Sequence, residues 1–361
     1  MPTLRHRSTA RSGISAAANR PTDLLLSLSP PRRPLTPAGR GRHYSPMSGR
    51  VRLNRRGIKR TGLVGFALLL TCCSQPRPAS TMADAIGSHY RVTERIVFVH
   101  IGQGTSSRSG LKIVLPDGSS IASVFSSSLE LSSPRWSPAG TRIAFVMSTP
   151  SRSNVFLIAP DGSRLRQITR GNTFNDSPAW SPDGRKLAFS SDRSGNFDIW
   201  VKKLGSPGQT PLASSPAIDV TPDWSPDGGS IAFASNRGGR WAIWVEDLST
   251  GSVKRLTPYF RDVINPRWSP DGSEILFAGL KANWQIFLKR IGHAQVTPLT
   301  SASWVSLAPT WSTNGREIAF DSDGGLGGHK QVYVLAIDGQ SPQKITDFRR
   351  SDATDPDWGS H

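Results

Sequence analysis

The sequence predicts an all-β fold, a six-bladed β-propeller of four-stranded blades whose ring is closed by the C-terminal strand. Three observations carry this expectation. A Pro-x-Trp step occurs six times, with tryptophans at Trp136, Trp180, Trp224, Trp268, Trp311 and Trp358, spaced 44, 44, 44, 43 and 47 residues apart. A turn sequence and a short apolar run follow the first five of these tryptophans. The two ends of the array are incomplete repeats that add up to one whole repeat. Repetition at this period marks solenoids, arrays or propellers. Closing the ring removes the open ends that a linear stack would have to cap.

Each element has a local reason. In Ser181-Pro182-Asp183-Gly184 the proline presets φ, the aspartate tolerates the second central position and the glycine takes the positive-φ exit. The strands that follow read Ile143-Ala144-Phe145, Leu187-Ala188-Phe189, Ile231-Ala232-Phe233, Ile275-Leu276-Phe277 and Ile318-Ala319-Phe320. Alternation puts large side chains on one face and a small one on the other, so bulky faces can nest against flat ones. The first strand, Arg95-Ile96-Val97-Phe98-Val99, lacks a leading Pro-x-Trp strand. Residues 111–115, a Pro116-Asp117-Gly118 turn and residues 121–125 complete that unit, and Asp355-Pro356-Asp357-Trp358 supplies its missing strand.

Charge and cysteines set the remaining bounds. The net charge is +18, but residues 1–60 hold 14 Lys and Arg against one acid, Asp23, whereas the remainder holds 30 against 25. The repeats therefore lack the basic footprint of a nucleic-acid binder, and no nucleic-acid partner is expected. Both cysteines, Cys72 and Cys73, lie before the repeats, which leaves the folded part without a disulfide or a thiolate metal site.

Residues 1–46 are rich in Arg, Ser and Pro and read as a disordered arm or as sequence upstream of a true start at Met47. From Met47, a basic stretch ending at Arg60 and an apolar stretch from Gly62 to Leu70 form an export signal. That stretch is far short of the roughly 18 apolar residues a spanning helix needs. Leu70-Thr71-Cys72-Cys73 resembles the lipobox of bacterial lipoproteins, which implies lipid attachment at Cys73, with Cys72 where a small residue usually stands. The expected organisation is thus signal 47–73, linker 74–94 and propeller 95–361.

The repeats resemble the TolB-type propeller, the PD40 or WD40-like repeat family. The pattern P-x-W-S-P-D-G, I-A-F, S-x-R-x-G, I-W is matched at residues 177–200, including Ser191-Asp192-Arg193-Ser194-Gly195 and Ile199-Trp200. It recurs at Ser235-Asn236-Arg237-Gly238 and Ile243-Trp244, and lapses in the fifth and sixth blades. About 20 residues separate the cysteines from the first strand, so the N-terminal α/β domain of the family's namesake is not expected. The resemblance implies a monomeric, periplasmic or membrane-surface module that binds a protein or peptide partner, without a cofactor.

Candidate binding residues are those leading into the inner strands at a channel mouth: Asn175, Asp176, Asp219, Asp262, Trp304 and Asp352. Loops at such mouths concentrate binding residues. Their carboxylates leave a channel Ca²⁺ open as a question, because sequence does not place oxygens at ligand distance. No catalytic residue is expected, since no G-x-S-x-G elbow occurs. The alternative is a polysaccharide-binding protein or a metal-dependent lyase. It draws on His293 and His329, about one blade apart, and on a resemblance to lyase propellers that use mouth histidines. The lipobox reading gives a direct test. Cys73→Ser releases the protein from membranes into the soluble periplasmic fraction, as read by fractionation; unchanged membrane association rejects attachment at that cysteine.

Overall fold

A computed structural model describes residues 94–102, 108–213, 215–325, 328–339 and 341–360. The expectations for residues 1–46, the signal 47–73 and Cys73 lie outside the described residues, as does nearly all of the 74–94 linker. The described chain forms 24 strands in six four-stranded antiparallel sheets, as the repeat predicts. Blade 1 comprises β1 (Glu94–Ile101), β2 (Ser109–Val114), β3 (Ala122–Ser127) and the last strand of the chain. Blade 2 holds β4 (Glu130–Trp136), β5 (Ile143–Thr149), β6 (Arg152–Ile158) and β7 (Arg166–Gln167). Blade 3 holds β8 (Asn175–Trp180), β9 (Lys186–Ser191), β10 (Asp198–Lys203) and β11 (Thr210–Ala213). Blade 4 holds β12 (Asp219–Trp224), β13 (Ser230–Ser235), β14 (Ala242–Asp247) and β15 (Val253–Arg255). Blade 5 holds β16 (Asp262–Trp268), β17 (Glu274–Leu280), β18 (Trp284–Arg290) and β19 (Val296–Pro298). Blade 6 holds β20 (Ser306–Trp311), β21 (Glu317–Ser322), β22 (Gln331–Ala336) and β23 (Gln343–Lys344).

The final strand, β24 (Asp352–Ser360), lies innermost in blade 1 and pairs antiparallel with β1. Ile96 faces Trp358, Val97 faces Asp357 and Val99 faces Thr354, which is the closure the split repeat requires. Packing between blades follows the alternation in the second strand of each. Ile143 and Phe145 face blade 1 and meet its Val97 and Val99, together with Trp136 of their own blade. Ala144 and Val146, on the other face of the same strand, receive Trp180, Leu187 and Phe189 of blade 3. The small alanine makes room for the large side chains arriving from the neighbour. Phe98, Phe145, Phe189, Phe233, Phe277 and Phe320 are fully buried this way, each worth roughly 1.5–3 kcal/mol relative to exposure.

The turns are held by their own side chains. Ser225 Oγ donates to Asp227 Oδ1 at 2.5 Å and accepts from Ser230 N at 2.9 Å, while Asp227 Oδ1 accepts from Gly229 N at 2.9 Å. Gly272 closes its turn at φ +74, and a Cβ there would stand 3.2 Å from Cγ of Pro226 in the preceding blade's turn. The glycine thus serves both the turn and the contact between turns. Each inner strand also carries a register shift just before Trp. The residue preceding proline there, Ser133, Ser177, Thr221, Asn265, Ala308 or Asp355, has φ between 47 and 53°. Non-glycine residues in that region carry strain on the order of 1 kcal/mol or more, which the ring tolerates at six equivalent places.

The closing seam holds a closely packed glycine. A Cβ on Gly359 would lie 2.4 Å from Cγ of Trp136. Gly359→Ala is therefore expected to force the blade 1–blade 2 seam apart and to cost about 1–3 kcal/mol, measured as a lower midpoint in thermal or urea unfolding. Gly208→Ala, at a site with nothing within 4 Å, leaves the midpoint nearly unchanged.

Candidate functional site

Inner strands run from one face of the ring to the other, so their first residues gather at one mouth and their tryptophans at the opposite one. The first residues are Glu130, Asn175, Asp219, Asp262, Ser306 and Asp352. Three predicted residues are fixed into the framework. Asn175 is fully buried, its Nδ2 donates to Ser153 O at 3.0 Å, and its Oδ1 accepts from Ser191 Oγ at 3.0 Å and from Arg193. Asp219 is equally buried and pairs with Arg237 Nη2 at 2.7 Å. Asp176, 5 % exposed, accepts from Ser133 Oγ at 3.3 Å and from Ser177 N at 2.6 Å.

The Ser-x-Arg signature now has a physical account. Arg193 lies over Phe189 and Trp200, with its guanidinium carbon 5.3 and 4.8 Å from the ring centres. Arg237 lies likewise over Phe233 and Trp244, at 4.8 and 5.5 Å. Each arginine thereby ties the first residue of its inner strand to the face of the blade. Blade 5 lacks the arginine, and Lys281 lies over Phe260 and Phe287 instead. Asp262 is left half-buried, with burial raising its carboxyl above the usual value.

The other predicted residues also remain accessible. Trp304 packs against Tyr333, ring centres 5.4 Å apart. Asp352 accepts from Lys330 N at 2.9 Å and meets His329 Nδ1 at 3.0 Å. Four groups at this mouth escaped sequence reasoning: Glu130, Asp321, Asp355 and Lys330. Lys330 Nζ lies 2.9 Å from Asp321 Oδ2. Asp355 stands where other blades place Ser, Thr, Asn or Ala before proline, a departure visible in the sequence. It accepts from Ser133 N at 3.3 Å. Burial and the nearby Asp321 push its carboxyl up to about 6, with Asp176 adding to the effect and Lys330 opposing it. Together these groups make the loop mouth acidic.

Below this mouth the channel is plugged by the x residues of Pro-x-Trp, which in ring order are Arg135, Ala179, Asp223, Arg267, Thr310 and Asp357. Arg135 reaches across the ring from blade 2, placing Nη2 2.5 Å from Asp223 and Nε 3.3 Å from Asp357. Arg267 Nη1 stands 3.9 Å from Asp223. The same aspartates cap neighbouring strands: Trp136 N donates to Asp357 at 2.8 Å and Trp268 N to Asp223 at 2.9 Å. On the loop side of this plug a void of about 10 Å³ remains, room for at most a single water. On the far side a bowl of about 280 Å³ opens, lined by the six tryptophans with Arg135, Asp223 and Arg267 among its walls. The tryptophans thus pack between blades and also line a cavity. Their second role escaped sequence reasoning, because the repeat explains them without it.

The histidine alternative meets a topological obstacle. His329 lies in the β21–β22 loop at the loop mouth, while His293 lies in the β18–β19 turn on the tryptophan face. The two histidines sit on opposite faces of the ring and cannot ligate one metal. Their one-blade spacing in sequence conceals a difference of face that strand alternation imposes.

Asp355 gives a pH test with a definite sign. Its folded value lies above the ordinary carboxylate value of 3.8. The folded state therefore holds a proton that the unfolded state has lost between about pH 4 and 6, and stability falls as pH rises through that window. Asp355→Asn keeps an acceptor for Ser133 N and suits positive φ. The variant is expected to be more stable than wild type near pH 8, by about 1–3 kcal/mol, and to lose the corresponding slope below pH 6 in a pH series of unfolding free energies.

Comparisons with known proteins agree with this geometry. The chain is similar to the crystal structure of TolB from Acinetobacter baumannii, with TM-score 0.67 and 25 % identity over 79 % of this chain and 74 % of that one. It shares its fold with Kuenenia stuttgartiensis hydrazine synthase, with TM-score 0.61 and 12 % identity over 75 % of this chain and 47 % of that one. The nidogen/laminin complex shares it too, with TM-score 0.59 and 8 % identity over 74 % of this chain and 98 % of that one. A search of curated proteins finds no match. The family described as the TolB beta propeller domain, PD40, matches residues 87–361. The chain belongs to the TolB beta-propeller family.

Proposed function

We propose that this chain is an exported, lipid-anchored binding module of the bacterial cell envelope, held to a membrane through Cys73, that captures a protein or peptide segment at a channel mouth. The observation that carries the reading is the blind channel. The Arg135, Asp223 and Asp357 plug forbids threading, and the bowl of about 280 Å³ beyond it suits a few side chains of a docked segment. Asp262, Trp304 and Asp352 offer contacts at the loop mouth, with Asn175, Asp176 and Asp219 holding the strands that present them. Family membership supports an envelope role. Among the described residues no group of three or more His, Cys, Asp and Glu is placed to hold a metal, and the separation of His293 from His329 weighs against the lyase alternative.

Photocrosslinking tests this reading in the native host. A photoreactive residue is placed singly at Pro226 or Pro270 on the tryptophan rim, at Asp262 or Asp352 on the loop mouth, and at the perimeter residue Ile121. A discrete protein adduct from one mouth, absent from Ile121, is the expected result. Adducts absent from both mouths, or equal from mouth and perimeter, reject segment capture on the axis.

A further inference from the structure

A second cavity lies away from the channel, at the perimeter between blades 2 and 3. It encloses about 760 Å³ between Leu165–Arg170 on one side and Lys202–Gln209 on the other. Three cations line it, Arg166, Arg170 and Lys202, and no carboxylate does. Neither Arg166 nor Arg170 forms an ion pair among the described residues, and both are exposed. Lys202 is 9 % exposed, and its ammonium donates to Pro207 O at 2.9 Å, Gly208 O at 3.2 Å and Ser206 O. Carbonyls satisfy its hydrogens without cancelling its charge. Burial and the like charge of Arg166 both lower its affinity for a proton. Gln209 Oε1, also on the wall, is buried with no hydrogen-bond partner. Leu165 stands 45 % exposed at the edge, among the few large apolar side chains so placed.

The imbalance is regional. Residues 130–213, which span blades 2 and 3, carry 11 Lys and Arg against 6 Asp and Glu, whereas the rest of 94–361 carries 17 against 18. Thus this one sector holds the folded domain's positive excess, and the groove is its concave part.

We propose that this groove docks an extended acidic segment of a partner protein. Carboxylates of that segment pair with Arg166 and Arg170, a backbone N–H satisfies Gln209 Oε1, and an apolar side chain covers Leu165. The groove's concavity favours a chain over a membrane, which presents a flat surface to a protein. The exposed leucine favours a peptide over an acidic glycan, which has no apolar side chain to set against it. This surface is distinct from the channel mouths, so its test and the axial crosslinking test fail independently.

The test uses the full chain and, as probe, a fluorescein-labelled peptide of alternating Glu and Leu read by fluorescence anisotropy. A matching Lys and Leu peptide, polygalacturonate and phosphatidylglycerol vesicles are the comparison ligands. Binding of the Glu and Leu peptide that weakens as salt rises is expected. Arg166→Glu with Arg170→Glu should weaken it at least about tenfold while leaving the melting temperature unchanged, because both side chains are exposed. Arg316→Glu, on a different blade, should leave the affinity as in wild type. Failure to bind the acidic peptide, equal binding by the double variant, equal loss in Arg316→Glu, or a preference for polygalacturonate or the vesicles each overturns the proposal.

Discussion

Everything in this domain depends on one non-local pairing, that of β24 with β1. The strands meet from opposite ends of the described chain, with Glu94 facing Ser360 and Ile101 facing Asp352. Without that ladder, blade 1 loses its inner strand and Trp136 loses the flat surface at Gly359. The axial plug depends on the same closure. Asp357, on the closing strand, is one of the two carboxylates that hold Arg135. A local feature of one strand therefore fixes both the outer ring and the centre of the channel. Because the entropy of closing the loop is lost before the contacts form, such an array gains little until its last strand docks.

The repeat made most of the fold legible. Period, turn chemistry and the alternation of large and small residues all speak of neighbours a few dozen residues apart, and each blade packs only on its neighbours. What the sequence concealed are contacts that exist only after closure. Arg135 meets Asp223 across 88 positions and Asp357 on the closing strand of the neighbouring blade 1. No period links an arginine in one repeat to an aspartate two repeats later. The clue was nonetheless present: the x of Pro-x-Trp varies among Arg, Ala, Asp and Thr while its flanking residues do not.

The candidate mouth residues divide for a related reason. Four of the candidates, Asn175, Asp219, Asp262 and Asp352, each open an inner strand. Sequence did not reveal that Arg193 and Arg237, each 18 residues further along, reach back to clamp the first two of these. The loss of Ser-x-Arg in blades 5 and 6 looked like decay of the repeat. In the folded ring, that loss leaves Asp262 without a clamping arginine and puts Lys330 beside Asp321. Departure from the pattern marks the places where the mouth has side chains to spare.

A six-fold scaffold has a consequence for where specificity can arise. Residues repeated in every blade serve the ring equally everywhere, and six equivalent contacts cannot by themselves distinguish one approach of a partner from another. Asymmetry has to come from positions that the scaffold leaves open. Three sets of such positions stand out: the x residues of the plug, the first residues of the inner strands, and the outer turns with their neighbouring strands. The first set is consumed by its own ion pairs, which seal the channel. The second gives the loop mouth part of its acidic character, from Glu130 to Asp352. The third supplies the basic sector at Arg166 and Arg170. Opposite charges thus stand at the loop mouth and at the perimeter of one ring, and Asp262 at the one and Arg166 and Arg170 at the other are free of ion pairs among the described residues.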